Sequence, residues 1–537
     1  MTRQSADFAL LDARIRTDRG HDVQALAAFE GRIVALGSTR EIEDLVGPDT
    51  RVLNAERRRV IPGLIDAHLH FVPGGLRMRR LDLSEIGGRA EFIERLTSYA
   101  REHPHDAWVQ GGGWSNDAWA DPSPPHRNWI DAVTPQRPLF LWRMDCHAVL
   151  VNSAALAVAG IDRHGPPDPP GGMIDRDPAT REPTGILRDT AMQLVQRHVP
   201  PASEPDRDEA IRAACRYAHS LGLTMVHNML DWNNWPAMRR ARESGALSLR
   251  VYNILHQRPD SLGVQRWIAM QPGDDRMRCG ACKNYMDGSL GSRTAWMLEP
   301  YADAAGSTAP CGLRIDGADG DELLLSQFIT ADRAGLQLCA HAIGDAANRK
   351  LLDLYEALLR ENGPRDRRPR VEHAQHVDDA DIARFAPLGA IASMQPLHKH
   401  ADGGFADRAL GTRRGRTSYR FGDLLRGGAT LAFGSDWPIV SLNPFQGLYA
   451  AVTGRIRGGG VWMPEQNLSI EKALAAYTSS AAYAAFMEDH LGRLSPGYYA
   501  DLVVLDDDLL TCDADAMRDI RPIATVVGGE VVWRVDD

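Results

Sequence analysis

Between residues 62 and 488 short apolar runs alternate with longer amphipathic stretches, and this alternation constrains the fold more than any other feature of the chain. The apolar runs are RRVIPGLIDAHLH, GLTMVHNM, LRVYNILH, CGACKNYMD, LQLCAHAIG, RVEHAQH, AIASMQP and TLAFGSDWP. Stretches with helical spacing lie between them, among them DEAIRAACRYAHSLG, ANRKLLDLYEALLRENG and SIEKALAAYTSSAAYAAF. A strand followed by a helix, repeated about eight times, predicts an α/β fold of the (β/α)8 TIM-barrel type.

The gap between the first two runs, roughly 150 residues, is too long for one crossover. Residues 74–205 therefore read as an insertion over the barrel mouth. Residues 1–61 and 489–537 have a different texture, with short β-type runs broken by charged and Gly-containing turns, and Gly528-Gly529 marks a hairpin. Two β-rich ends flanking one barrel predict that the termini pair into a small β-sandwich. The acidic run Asp506 to Asp508 reads as a solvated turn.

Composition narrows the class. Lys plus Arg is 61 and Asp plus Glu is 71, a net charge of −10 with no basic block, which argues against nucleic acid or an anionic membrane as partner. Hydrophobic residues make up 44% and charged residues 25%, as in an ordinary globular chain. Nowhere do about 18 apolar residues run together, so no membrane span is expected. The amino-terminal stretch lacks the apolar core of a secretion signal. Seven thinly spread cysteines fit a reducing compartment, and the cytoplasm is the expected location. Cys279 and Cys282 form a C-x-x-C without a second pair and read as small core residues.

In such a barrel the active site lies where the strands end, so the polar residues that close each apolar run carry the functional signal. These are His68, His70, Lys283, His341, His373 and Asp436. His68 and His70, two apart on a strand, face one side and can grip one metal with Leu69 turned outward. Alone, each histidine is as compatible with a core or surface role, and Asp436 with a turn. Together, four imidazoles and a carboxylate on one predicted rim suit zinc and related divalent ions. Glu372, next to His373, points the opposite way on a regular strand and reads as a packing or supporting residue. His227 also ends a strand and stays outside the metal set. His398 and His400, a second H-x-H, read as a fortuitous pair or a lid contact. Lys283 on spacing alone reads as the salt-bridge partner of Asp287.

The stretches PGLIDAHLHF, GGGWSNDAW, RPLFLWRMDCHAVLVNSAALAVAGI, PTGILRD, KNYMDGSLGSRTA, HAIGD, RVEHAQH, GSDWP and GRLSPGYYADLVVLD, in this order, resemble the amidohydrolase superfamily. Within it the chain is similar to the YtcJ-like group, amidohydrolase family 3, and to N-substituted formamide deformylases. The resemblance covers nearly the whole chain. It implies a C–N bond hydrolase acting on a small-molecule amide such as an N-substituted formamide. Two divalent metal ions are implied, zinc first, with manganese, iron and cobalt served by the same ligands. His68, His70 and Asp436 would hold the more buried ion and His341 and His373 the second. Lys283, carboxylated by CO₂, would bridge them. Attack would come from a metal-bridging hydroxide, with Asp436 as proton shuttle. His147 would hydrogen-bond the substrate carbonyl or oxyanion, although an ordinary loop histidine fits equally. Trp114 and Trp437 would line the substrate pocket, with Trp296 and Met286 adding apolar wall.

Two other functions remain compatible with the sequence. One is a mononuclear deaminase of a ring amidine, against which His341-Ala342-Ile343-Gly344-Asp345 lacks the glutamate such enzymes place after this histidine. The other is a catalytically silent metal-binding barrel. A homo-oligomer is the general expectation for such a protein.

Overall fold

The computed structural model describes residues 5–17, 20–84, 86–116, 119, 121, 123–144, 148–169, 172–257, 273–291, 293–304, 309–315 and 320–535. They form two compact units, residues 1–71 with 211–537 and residues 72–210.

The first unit holds an eight-stranded parallel sheet in chain order. Its strands are β1 (Leu64–Leu69), β2 (Leu223–Leu230), β3 (Arg250–His256), β4 (Met277–Tyr285), β5 (Gln337–Ala342), β6 (Arg370–His373), β7 (Ile391–Met394) and β8 (Thr430–Phe433). β1 and β2 are buried along their whole length, as parallel strands covered on both faces must be. The sheet closes just past its strand ends, where the Asp436 N–H donates to the His68 carbonyl (2.7 Å) and the His70 N–H donates to the Trp437 carbonyl (2.8 Å). Gly434 permits this closure, since a Cβ there would lie 2.4 Å from the His68 nitrogen. The result is a (β/α)8 barrel, as the alternation predicted.

RRVIPGLIDAHLH is two strands rather than one. Arg59–Pro62 pairs with Leu502–Leu505 in the terminal module, and Leu64–Leu69 enters the barrel. Gly63 stands between them against Thr224, whose hydroxyl and methyl leave no room for a side chain. The terminal module has a four-stranded sheet from residues 8–54 and a six-stranded sheet that combines Arg14–Arg16, Asp22–Val23 and Arg59–Pro62 with the three carboxy-terminal strands. Phe8, Leu26 and Ile33 of one sheet share a core with Ile15, Val60 and Val526 of the other, which makes the module a sandwich. Gly528 and Gly529 carry φ of 60° and 75°, the turn that joins the last two strands. Asp508 is not merely solvated, because it receives a bidentate pair from buried Arg59 and a contact from Arg14 at 3.0 Å.

The second unit has its own six-stranded mixed sheet and its own core, in which Phe92, Trp114, Leu141 and Leu150 pack together. Among the described residues no helix is long and apolar enough to cross a membrane.

Candidate metal centre

Asp66 and His68 on β1, and His70 just past its end, stand on alternate positions, and each has a separate task. The Asp66 carboxylate accepts the backbone N–H groups of His68 (3.0 Å) and Ser435 (3.0 Å), fixing the closing seam. His68 Nε2 and His70 Nε2 then approach Asp436 Oδ1 at 3.4 and 3.3 Å. Asp436 adopts a φ of +60°, an uncommon conformation outside glycine that turns the carboxylate into the cluster. Burial alone would raise its carboxyl pKa. The facing imidazoles of His68, His70 and His373 together outweigh burial and hold it well below the usual range.

His68, His373 and Asp436 each offer a ligand atom within 4.8 Å of the others, and all three are buried. The His373 ring lies 4.8 Å from that of His68 and 4.5 Å from that of His341. His373 also has a positive φ, +74°. This breaks the strand's alternation, so Glu372 and its neighbour His373 both serve the site, whereas a regular pleat would have turned one away.

Each of these three imidazoles has its outer nitrogen committed. His68 Nδ1–H donates to Glu372 Oε2 at 2.6 Å, His373 Nδ1–H to Gln395 Oε1 at 2.8 Å, and His341 Nε2–H to the Gly288 carbonyl at 3.0 Å. In the neutral form of each ring, the opposite nitrogen is then the one that carries a lone pair. His68 Nε2 has no hydrogen-bond partner although it is buried. Glu372 is anchored in turn by Arg370, at 2.8 Å through Nε, and Arg370 also reaches the Ala67 carbonyl, His227 Nδ1 and the Ser393 hydroxyl. One buried guanidinium thus ties β1, β2, β6 and β7 together beneath the cluster. Burial and Lys283 lower the proton affinity of His68, and Glu372 and Asp436 more than restore it. That negative surrounding would equally favour a bound cation.

Lys283 is 1% exposed, and among the described residues no carboxylate lies within salt-bridge distance of its ammonium. The pairing with Asp287 that spacing alone suggested does not occur. Asp287 instead accepts backbone N–H groups of Trp296, Ile343 and Gly344 at 2.8–3.0 Å. Lys283 Nζ lies 4.7 Å from the centre of the Tyr285 ring. Burial lowers its pKa, against the pull of Glu372 and Asp436.

The remaining sequence candidates divide. Trp114 is buried in the core of the second unit, where its indole N–H donates to the Leu141 carbonyl at 3.0 Å. Trp437 is nearly buried, 6.1 Å from the Tyr217 ring, and contributes its backbone to the barrel seam. Met286 is fully buried. His147 lies outside the described residues. His400 donates from Nδ1 to the Arg455 carbonyl, away from the cluster, but His398 Nε2 stands 3.7 Å from Asp436 Oδ2. Sequence reasoning thus missed Asp66, Arg370 and Gln395, and set His398 aside as half of a fortuitous pair or a lid contact. The D-x-H-x-H alternation could have flagged Asp66, and a position one helical turn past a strand end could have flagged His398.

A closed barrel with an imidazole–carboxylate cluster at its carboxy-terminal rim defines a metal-dependent hydrolase class, and the chain belongs to the Amidohydrolase family, which matches residues 51–533. It is thereby a hydrolase of C–N bonds other than peptide bonds. It is 37% identical to "Protein LONG AFTER FAR-RED 3" of Arabidopsis thaliana over 95% of this chain and 88% of that protein. It is 31% identical to the "Putative amidohydrolase YtcJ" of Bacillus subtilis (96% and 97%) and 27% identical to the "N-substituted formamide deformylase" of Arthrobacter pascens (98% and 98%). Among solved structures it resembles a metal-dependent hydrolase of Pyrococcus horikoshii, with TM-score 0.78 and 25% identity over 95% of this chain and 99% of that one.

Proposed function

We propose that the protein hydrolyses the C–N bond of a small amide, an N-substituted formamide or a close relative, at a binuclear metal centre. The observation that carries this reading is the arrangement of His68, His341 and His373, each with its outer N–H held by a fixed acceptor, as metal-binding histidines require. His68, His70 and Asp436 would hold one ion and His341 and His373 the other. Lys283 would bridge as a carbamate: a buried amine with a lowered pKa reacts with CO₂ in its neutral form, and the anionic product suits a site between two cations. The likeness to the Arthrobacter deformylase, named for N-substituted formamides, supports that substrate class.

Divalent ions, zinc first, would supply Lewis acidity for the substrate carbonyl and lower the pKa of water toward neutrality. The chain's own residues manage the proton. The Asp436 carboxylate has Oδ1 turned toward His68 and His70, which leaves Oδ2 to take a proton from the attacking water. The same oxygen returns it to the leaving nitrogen, so that amide and water become acid and neutral amine. Arg370 and Glu372 keep His68 in the tautomer the site needs. The test is turnover of a panel of N-alkylformamides, acetamides and lactams, with metal content measured on the same preparation. Hydrolysis of formamides by protein carrying two ions per chain is expected, and metal-loaded protein that cleaves no C–N bond would overturn the reading.

A further inference from the structure

The rim at the end of β7 supplies a group that the metal set does not use. The helix Pro396–Asp402 starts directly after Gln395 and places His398 on the far side of Asp436 from His68 and His70. His398 Nε2 is buried, has no hydrogen-bond partner, and stands 3.7 Å from Asp436 Oδ2. That separation is beyond hydrogen-bond length, which leaves Nε2 facing the cluster with its hydrogen-bonding capacity unused. The ring lies within 9° of parallel to that of His373, with centroids 6.1 Å apart.

The helix is fastened in place. Lys399 Nζ donates to the Met463 carbonyl (3.2 Å) and to Asn467 Oδ1 (3.1 Å), and His400 Nδ1–H donates to the Arg455 carbonyl (2.8 Å). The two histidines of H-K-H therefore have separate tasks, His400 anchoring and His398 facing the cluster. A buried N–H without an acceptor is costly to keep. A rigid support that keeps such a donor aimed at the shuttle carboxylate provides the preorganisation by which enzymes stabilise developing negative charge.

We propose that His398 is a catalytic residue whose Nε2–H donates to the acyl oxygen of the substrate as the amide carbon becomes tetrahedral. This rests on the proposed amide hydrolysis. It assigns to the helix after β7 the donor role that the sequence offered to His147.

The test compares wild type with His398→Phe, which keeps a ring without a donor, and His398→Gln, whose amide N–H reaches a similar point. All three are loaded with zinc and assayed on the formamide and acetamide panel, with acetate as a non-reacting probe of the same oxygen site. For His398→Phe, kcat should fall about 100-fold or more, as on loss of an oxyanion donor, with KM changed less than about threefold. His398→Gln should recover at least about tenfold of that loss, zinc content should match wild type in both variants, and acetate should bind His398→Phe about tenfold more weakly. Loss of zinc from both variants, or a kcat within about threefold of wild type in His398→Phe, would overturn the proposal. If wild type cleaves no amide while acetate still separates the variants, the substrate assignment fails and the donor role stands.

Discussion

Replacing Glu372 by glutamine tests how the outer residues set up the metal site. Glu372 is fully buried, accepts the Nδ1–H of His68 at 2.6 Å and faces Arg370 Nε at 2.8 Å. Glutamine keeps the volume but removes the charge, and its amide oxygen can satisfy His68 or Arg370, not both in full. Two effects follow. The first is on His68, whose basicity at Nε2 drops when its partner becomes neutral; loss of such a partner typically weakens metal affinity about 10–100-fold, or about 1.4–2.7 kcal/mol. The second is on Arg370, left buried without its carboxylate; breaking a buried ion pair costs about 3–5 kcal/mol, an upper limit here because Ala67, His227 and Ser393 still receive its N–H groups. The assay is zinc titration of chelator-stripped protein against a chromophoric competitor, with thermal unfolding recorded with and without zinc. Zinc should raise the unfolding temperature less in Glu372→Gln than in wild type. An affinity within about twofold of wild type, with unchanged unfolding temperatures, would refute the reasoning.

Three further outcomes are expected. Lys283→Ala should lose most bound metal and activity, and short carboxylic acids added to the buffer should restore part of both, as checked by elemental analysis and turnover; unchanged metal content would remove the bridging role. Asp436→Asn should lower turnover more than about 100-fold, read in steady-state kinetics, since the amide cannot take the proton that the carboxylate shuttles. Burial pushes the His219 imidazole down to about 4, so the folded chain resists a proton that an unfolded chain accepts near 6.5. Stability present above the unfolded value is therefore lost as pH falls from about 6.5 toward 4, by about 3 kcal/mol at most. Urea unfolding over that range should show the loss, and His219→Gln should reduce it.

The barrel was legible because parallel strands buried on both faces must read as apolar runs, and eight such runs with helical spacers have one common solution. His68 and His70 were legible for the same reason, since the pleat puts alternate residues on one side. The pleat rule also misled. It set Glu372 and His373 on opposite faces, and the left-handed backbone at His373 cancels that separation. Lys283 reached the site through resemblance, and the salt bridge that spacing alone suggested is absent, Asp287 accepting three backbone N–H groups instead. GSDWP reads as a turn. Its glycine in fact allows the closing strands to touch, and its aspartate turns inward through a positive φ that no composition reveals. His398 was hidden because the sequence cannot show which face of a single helical turn looks into a barrel. Trp114, by contrast, matches a motif whose structural setting is a core of its own.

The most direct measurement is anomalous diffraction at the zinc edge from crystals of metal-loaded protein. Two peaks about 3.5–4 Å apart are expected, bounded by His68, His70, His341, His373 and Asp436, with continuous density from Lys283 reaching both. An empty cluster, or a metal bound only elsewhere on the chain, would contradict the account.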